Sequence, residues 1–432
     1  MQKLRVIETF SGIGSQAKAL QRLKERNYNF DYDVVATVEW EIGAMYAYDI
    51  LHNGPQDLSK YDHLTKEDIL KLLKDKNLSS DGKKPMSFEA LNRMSITQLK
   101  AIWHSIESNN NLIDISTVSA SQLPDADLLT YSFPCQDLSI SSYWHKNLSG
   151  INKGANNRSG LLWEIERILH EYKAINKPLP KFLLMENVTA INSPLHSDNF
   201  ELWKAELRKM GYQNHVFNLN AKDYDIPQSR VRTYMVSILV EGNKYADEIN
   251  QYMTNNTDLG NISKELPDIA SFLRLNYEER EEYLQEALNS IPNYTESRKV
   301  IFNDSAKLAN GRNTNGIIAK TITTKQDRNP NAGLIVHGFN LDEKLGKAPY
   351  RYLTPRETFL LMGFDEADFD LLIENNIKIT KTRKFLSDSK LLKLTGNSIV
   401  VNVLEAIFKE MYHIDRIYFQ KNKISAFQKK RA

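Results

Sequence analysis

Three short apolar runs, each ending in a polar signature, constrain this chain most. Leu4 to Ile7 leads into Phe10-Ser11-Gly12-Ile13-Gly14. Ala126 to Phe133 leads into Pro134-Cys135-Gln136, and Lys181 to Met185 leads into Glu186-Asn187-Val188. Short apolar runs bounded by glycine, proline or polar clusters read as buried strands. Val34 to Val38 and Thr233 to Leu239 read the same way. Between the runs lie amphipathic patterns: Ser159 to Tyr172, with Leu162, Ile165, Ile168 and Leu169 on one face, and Asn199 to Met210. This alternation predicts a doubly wound α/β domain with a parallel sheet. Ligands of such sheets bind at the carboxyl ends of the strands. A glycine turn, a thiol and a carboxylate at three strand ends therefore describe one active site.

Cys135 is the only cysteine in 432 residues, which excludes an internal disulfide and a Cys-rich zinc site. No apolar run approaches the roughly 20 residues that span a bilayer, and the N-terminus lacks the apolar core of a signal peptide. The expectation is a soluble cytoplasmic protein. A net charge of +2 says little about partners, because nucleic-acid binding needs cations gathered on one face rather than a basic total. Arg230 with Arg232, Lys325 with Arg328, and the tail Lys421 to Arg431 are candidates for such a face, and each is equally an ordinary solvated cluster.

The organisation changes along the chain. Residues 53–111 are polar and lysine-rich with helical periodicity at Thr65 to Asp75 and Ser95 to Ser108, a helical insertion between sheet elements. A domain boundary is expected near residue 240. Residues 1–240 together with 390–432 would form the first domain, and 241–389 a second, smaller one with its hinge. The apolar pattern Ser398 to Tyr412 would bring the chain back to the first domain.

Each candidate residue has a functional and a structural reading. Gly12 and Gly14 allow close backbone approach to a ligand, or simply a tight turn. Glu39, at the end of Val34 to Val38, suits ribose hydroxyls, and Asp114 suits a purine amino group; both also fit turns or caps. Cysteine is often a small buried hydrophobe, but a Pro-Cys-Gln corner at a strand end favours a nucleophile. Glu186 follows an apolar run, where desolvation favours the protonated carboxyl and hence a proton donor. Arg230 and Arg232 sit at strand spacing and share one face, placed for an anionic or carbonyl-bearing ligand.

In family order, the chain carries Phe10-Ser-Gly12-Ile-Gly14, Phe133-Pro134-Cys135-Gln136, Glu186-Asn187-Val188, Gln228-Ser-Arg230-Val-Arg232, Arg351-Tyr-Leu-Thr-Pro355-Arg356-Glu357 and Gly396-Asn397-Ser398. This ordered set resembles the DNA cytosine-5 methyltransferases of bacterial restriction–modification systems. The resemblance covers nearly the whole chain, apart from the 53–111 insertion and a variable region near 240–345. It implies a Rossmann-like, S-adenosylmethionine-dependent methyltransferase domain with a smaller target-recognition domain, acting on double-stranded DNA as a monomer. It also implies S-adenosylhomocysteine as product, no metal, and a cognate restriction endonuclease as possible partner.

The resemblance assigns roles residue by residue. Cys135 adds to cytosine C6, Glu186 is the acid at N3, Asn187 steadies its loop, Arg232 contacts the base carbonyl, and Arg230 is its neighbour. The cofactor set is Phe10, Gly12, Ile13, Gly14, Glu39, Trp40, Asp114, Ile115, Pro134, Leu161, Asn397 and Ser398. The target cytosine must leave the duplex stack, and the loop Asp137 to Asn157 would cover it. Candidate DNA contacts are Gln136, Ser139, Ser141, Arg158, Gln228, Thr321, Gln326 and Arg328. A tRNA methyltransferase of the same fold is the nearest alternative; Gln136 and the long variable region favour DNA. A nicotinamide-dependent enzyme is disfavoured, because the glycine turn lacks the third glycine of that fingerprint.

Overall fold

One six-stranded sheet positions the site. Its strands are β1 (Leu4–Thr9), β2 (Tyr32–Val38), β3 (Leu128–Tyr131), β4 (Phe182–Val188), β5 (Tyr212–Asn220) and β7 (Val231–Leu239), in spatial order β2-β1-β3-β4-β7-β5. The two-residue strand β6 (Gln228–Ser229) lies outside it. The computed structural model describes residues 3–26, 29–135, 138, 151, 153, 158–257, 259, 265–340 and 346–420. Gln136, Ser139, Ser141, nearly all of the 137–157 loop and the basic tail lie outside the described residues.

The alternation along each strand builds two layers. Val6, Leu128, Phe182 and Leu184 face one core, shared with Leu20 and Leu23 of helix Ser15–Arg26, Met45 and Ile50 of helix Ile42–Asn53, and Leu404 and Ile407 of helix Val401–Ile414. Ile7, Leu129, Leu183 and Met185 face the other core. That core is closed by Ile165 and Leu169 of helix Leu162–Ala174 and by Phe200, Trp203 and Leu207 of helix Ser197–Lys209. Helices on both faces make the domain doubly wound, as the sequence predicts.

The sheet departs from the expected all-parallel arrangement at one strand. β1, β2, β3 and β4 run parallel, whereas β7 is antiparallel to both β4 and β5. The reason is local. Residues 221–230 are too few to carry a crossover helix, and Asp225, at φ 62°, helps turn the chain back. β5 then takes the edge.

The 53–111 insertion is helical, with helices Lys66–Leu73, Phe88–Asn92 and Ile96–Ser108. Capping boxes Thr65/Asp68 and Ser95/Gln98 start the first and third of these. Leu99, Ile102 and Ile106 join the same core as helix Ile42–Asn53. Beyond the boundary region, β8 (Lys307–Asn310), β9 (Asn313–Thr314), β11 (Leu334–Val336) and β12 (Tyr350–Arg351) form a small sheet in the order β12-β11-β8-β9. The short strand β10 (Ala319–Lys320) lies alongside β6.

Residues 365–385 already touch the helices that cover the large sheet. Lys18 pairs with Asp365 and Asp368 at 2.9 Å, and the Tyr46 ring meets Phe385 edge-on at 4.9 Å. Asp388–Gln420 is the one helical stretch among the described residues long and apolar enough to cross a bilayer; 72% of its apolar window is buried inside the protein. Its apolarity belongs to the core.

Candidate active site

Strand register brings the predicted site residues to one edge. Val38, Thr9, Tyr131 and Met185 lie side by side across β2, β1, β3 and β4. The residues that follow them, Glu39, Phe10, Ser132 and Glu186, therefore line up at the carboxyl end of the parallel strands, where the first three leave the sheet while β4 continues to Val188, and Cys135 comes three residues after Ser132.

The glycine turn is conformationally demanding. Phe10, Gly12 and Gly14 have φ of 56°, 56° and 78°. A Cβ on Gly14 would sit 2.1 Å from His52 Nε2 and 2.7 Å from Tyr48 Cε2, so a side chain is excluded there. A Cβ on Gly12 would meet nothing within 4 Å. Space is open beside Gly12, where a ligand could approach backbone. The Gly12 N–H donates to Glu39 Oε2 at 3.0 Å, and the Glu41 N–H donates to Glu39 Oε1 at 2.8 Å. Burial lifts the Glu39 carboxyl to about 7 against the pull of those N–H groups. Asn111 fixes Glu39 from below: its Oδ1 accepts the Glu39 N–H at 3.0 Å and its Nδ2 donates to the Glu39 carbonyl at 2.9 Å.

Other cofactor candidates gather at the same edge. Ser398 Oγ lies 2.6 Å from Ser15 Oγ, directly after the glycine turn. Asn397, exposed, ends helix Asp388–Asn397 beside it. Ile13 is buried, and its carbonyl lies 3.0 Å from His52 Nε2. Trp40 and Leu161 are half-buried. Asp114 is also a turn residue: Oδ1 accepts from the Ser116 N–H at 3.0 Å and Oδ2 from Asn77 Nδ2 at 2.8 Å. Ile115 next to it is core. Pro134 presents its carbonyl to Ser159 Oγ at 2.7 Å, which ties the Cys135 corner to the start of the next helix.

The reacting groups form a charged cluster in a nearly dry place. Arg232 Nε lies 3.5 Å from Glu186 Oε1, with the two side chains 15% and 12% exposed. Register accounts for this: Arg232 opposes Val188 on β4, so it shares a face with Glu186 one diagonal step away. Burial pushes the Glu186 carboxyl up, while the cations of Arg232 and Arg230 pull it down. Burial also pushes the Cys135 thiol up and the Glu186 charge adds to that rise, while Arg232 and Arg230 oppose it. Asn187 holds the corner, donating from Nδ2 to the Phe133 carbonyl at 3.0 Å. The arrangement sets a thiol and a carboxyl within each other's electrostatic influence, with the same cations acting on both.

Arg230 is placed differently from its expected role beside a ligand. It is 4% exposed. Nη1 donates to the Ile322 carbonyl at 2.9 Å, and Nη2 donates to the Gly396 and Ser398 carbonyls at 3.2 and 2.7 Å. The guanidinium thus bolts three chain segments together, and burial lowers its pKa to about 9. Gln228, fully buried, does the same work. Its Nε2 donates to the Leu361 carbonyl at 2.8 Å and its Oε1 accepts the Ile322 N–H at 2.9 Å. It does not face outward for DNA, and neither does Gln326, which is 0% exposed and accepts the Ala332 N–H at 3.4 Å. Thr321 Oγ1 donates to the Ser229 carbonyl at 2.9 Å from a half-buried position. Arg328 is exposed, and Arg158 keeps a buried Nη1 without a hydrogen-bond partner among the described residues.

Sequence reasoning missed the support beneath the glycine turn. Burial lifts Glu8 to about 8 against the Tyr48 hydroxyl, and lowers His52 to about 4. Burial thus favours the uncharged form of each beneath the turn. A carboxylic acid inside an apolar strand (Glu8 between Ile7 and Thr9) was the available signal. Asn111 gave none.

Comparison with known proteins agrees with this geometry. Residues 86–413 match the model of the C-5 cytosine-specific DNA methylase family. The chain is 32% identical over 419 residues to the orphan methyltransferase M.SssI of Spiroplasma monobiae, covering 95% of this chain and 97% of that protein. It is 31% identical over 412 residues to the type II methyltransferase M2.ScrFI of Lactococcus lactis subsp. cremoris, covering 95% and 99%. The crystal structure of the S. pombe Dnmt2 methyltransferase shares the fold, with a TM-score of 0.57 at 19% identity over 95% of this chain and 99% of that one. The chain belongs to the C-5 cytosine-specific DNA methylase family and is a DNA cytosine-5-methyltransferase.

Proposed function

We propose that the enzyme methylates C5 of a flipped-out cytosine in a specific duplex sequence, using S-adenosylmethionine and a transient bond between Cys135 and C6. The observation that carries this reading is the Cys135–Glu186–Arg232 charge cluster at the carboxyl edge of the sheet. Cytosine C5 is a poor nucleophile. Addition of the Cys135 thiolate to C6, with a proton delivered from Glu186 to N3, makes C5 enamine-like. Arg232 steadies the carboxylate that remains and is placed for the base carbonyl. With the methyl group in place on C5, loss of the C5 proton to water or hydroxide lets the C6–S bond break, which returns the electron pair to sulfur, and the N3 proton goes back to the Glu186 carboxylate as the aromatic ring is restored.

The residues fit the cofactor. The open space at Gly12, the Glu39 carboxyl beside it and the Ser398 contact on the turn suit a nucleoside-bearing ligand. When bound, S-adenosylmethionine supplies an electrophilic methyl group. Phe10, Gly12, Ile13, Gly14, Glu39, Trp40, Asp114, Ile115, Pro134, Leu161, Asn397 and Ser398 would hold it.

Residues from about 241 would read the DNA, with Thr321 and Arg328 nearest the target and Gln136, Ser139, Ser141 and Arg158 on the covering side. We place the enzyme in a bacterial cytoplasm, working as a monomer and as the modifying half of a restriction–modification pair. Its relatives carry both type II and orphan descriptions. Tritiated methyl transfer to DNA, followed by bisulfite sequencing, tests activity and target together. Label entering tRNA alone would overturn the assignment of substrate.

A further inference from the structure

We propose that the hairpin of residues 377–385 is a phosphate clamp that grips the DNA backbone beside the recognised bases. The proposal rests on the reading above that duplex DNA is the substrate.

The hairpin is rigidly built. Ile379 N–H donates to the Arg383 carbonyl at 2.8 Å, and Arg383 N–H donates to Thr380 Oγ1 at 3.1 Å. Its base is clamped by Asn376, whose Nδ2 donates to the Leu386 carbonyl at 2.7 Å and whose Oδ1 accepts the Leu386 N–H at 2.9 Å. Tyr46 anchors it to helix Ile42–Asn53: its hydroxyl donates to the Asn375 carbonyl at 2.5 Å and accepts the Ile377 N–H at 3.2 Å. Phe385 lies against the Tyr46 ring.

This scaffold displays four exposed cations, Lys378, Lys381, Arg383 and Lys384. None forms an ion pair within 4 Å among the described residues; Lys384 Nζ reaches the Ile373 carbonyl at 3.4 Å, and its charge acts on the Asp388 carboxylate. The contrast with neighbouring cations is sharp. Arg274, Arg280, Arg351 and Arg356 each hold a carboxylate. Four unpaired cations on a short fixed hairpin repel one another, and a polyanion relieves that repulsion.

The position suits DNA. The helix that follows the hairpin, Asp388–Asn397, begins where Ser389 Oγ donates to Asp327 Oδ2. Asp327 lies between exposed Lys325 and exposed Arg328. The same helix ends at Asn397 and Ser398 on the glycine turn. Hairpin and 325–328 loop therefore flank one helix start. Phosphate contacts of this kind fix register without reading sequence.

The test compares the full-length enzyme with a Lys381→Gln, Arg383→Gln, Lys384→Gln variant on one methylatable duplex. The dependence of log Kd on log salt should flatten by about 2 to 3, near 0.9 for each phosphate that is no longer neutralised. The kcat at saturating DNA and the melting temperature should not change. An unaltered salt slope would overturn the proposal. So would a fall in kcat at saturating DNA or in melting temperature, which would make the hairpin structural. Failure of the underlying reading is separate: the unmodified enzyme would then transfer no methyl group to the duplex.

Discussion

Two of the buried ionisable clusters among the described residues are satisfied to different degrees. At the junction before helix Pro355–Leu360, Arg351 and Glu357 are both 0% exposed and fully matched. Arg351 Nη2 donates to Glu357 Oε1 at 2.7 Å and Nη1 donates to Oε2 at 2.8 Å, while the Arg274 and Thr354 N–H groups also donate to that carboxylate at 2.8 Å. At the carboxyl end of the sheet, Glu186 faces Arg232 at 3.5 Å and its carboxyl makes no hydrogen bond to a described residue. Buried charges are tolerated when every lone pair is filled. Where pairing is left loose, the carboxyl stays ready to give or take a proton, which is what a catalytic acid needs. The difference separates groups that hold the fold from groups kept for chemistry.

The contrast breaks most visibly at the thiol. Cys135→Ser should reduce methyl transfer to background while S-adenosylmethionine still binds, measured by tritium incorporation and calorimetry. Glu186→Gln should lower kcat by about 10²- to 10⁴-fold, the range of a lost general acid, with no loss of thermal stability. The sign follows from its raised pKa. A carboxyl raised in the folded state favours folding at acidic pH and loses that contribution as pH rises through the folded value, so a neutral amide costs the fold nothing at pH 7. Arg351→Met should do the opposite. It strands the Glu357 carboxylate and should lower stability by about 3–5 kcal/mol, read by urea unfolding, while protein that remains folded keeps its kcat.

Arg230→Lys lies between these cases. Loss of the fork joining Ile322 to Gly396 and Ser398 should raise KM for both DNA and cofactor by roughly tenfold or more, from hydrogen bonds to a charged group worth about 1.5–3 kcal/mol. The subtlest change is a pH shift. Arg232 pulls down both the Cys135 and the Glu186 pKa. Arg232→Gln should therefore move both limbs of the kcat/KM profile to higher pH, beyond any loss of rate. A profile that weakens without moving would detach Arg232 from the proton pair.

The sequence made the candidate site legible because Cys135, Glu186, Asn187, Gly12, Gly14 and Glu39 each follow an apolar run, and parallel register turns that pattern into adjacency. Arg232 was read instead from its strand spacing with Arg230, before its apolar run and on the antiparallel β7. The edge strand β5 was not, because Tyr212–Asn220 carries Gln213, Asn214, His215, Asn218 and Asn220 and so lacks an apolar run. The reversal of β7 depends on loop length and not on composition. Gln228 and Gln326 look like surface glutamines in one dimension, yet both are interior amides with backbone partners. Arg230 is basic and near the site, but its hydrogen bonds turn inward, a fact that only three-dimensional packing supplies.

The central claim is that Cys135 bonds to the pyrimidine during turnover, and mass spectrometry tests it directly. The enzyme is incubated with methyl donor and a duplex in which every cytosine is replaced by 5-fluorocytosine, so that no knowledge of the target is needed and the final elimination is blocked. The account predicts a stable protein–DNA adduct whose digest places the DNA on the peptide containing Cys135. Absence of any adduct, from enzyme that methylates the same duplex without fluorine, would contradict it.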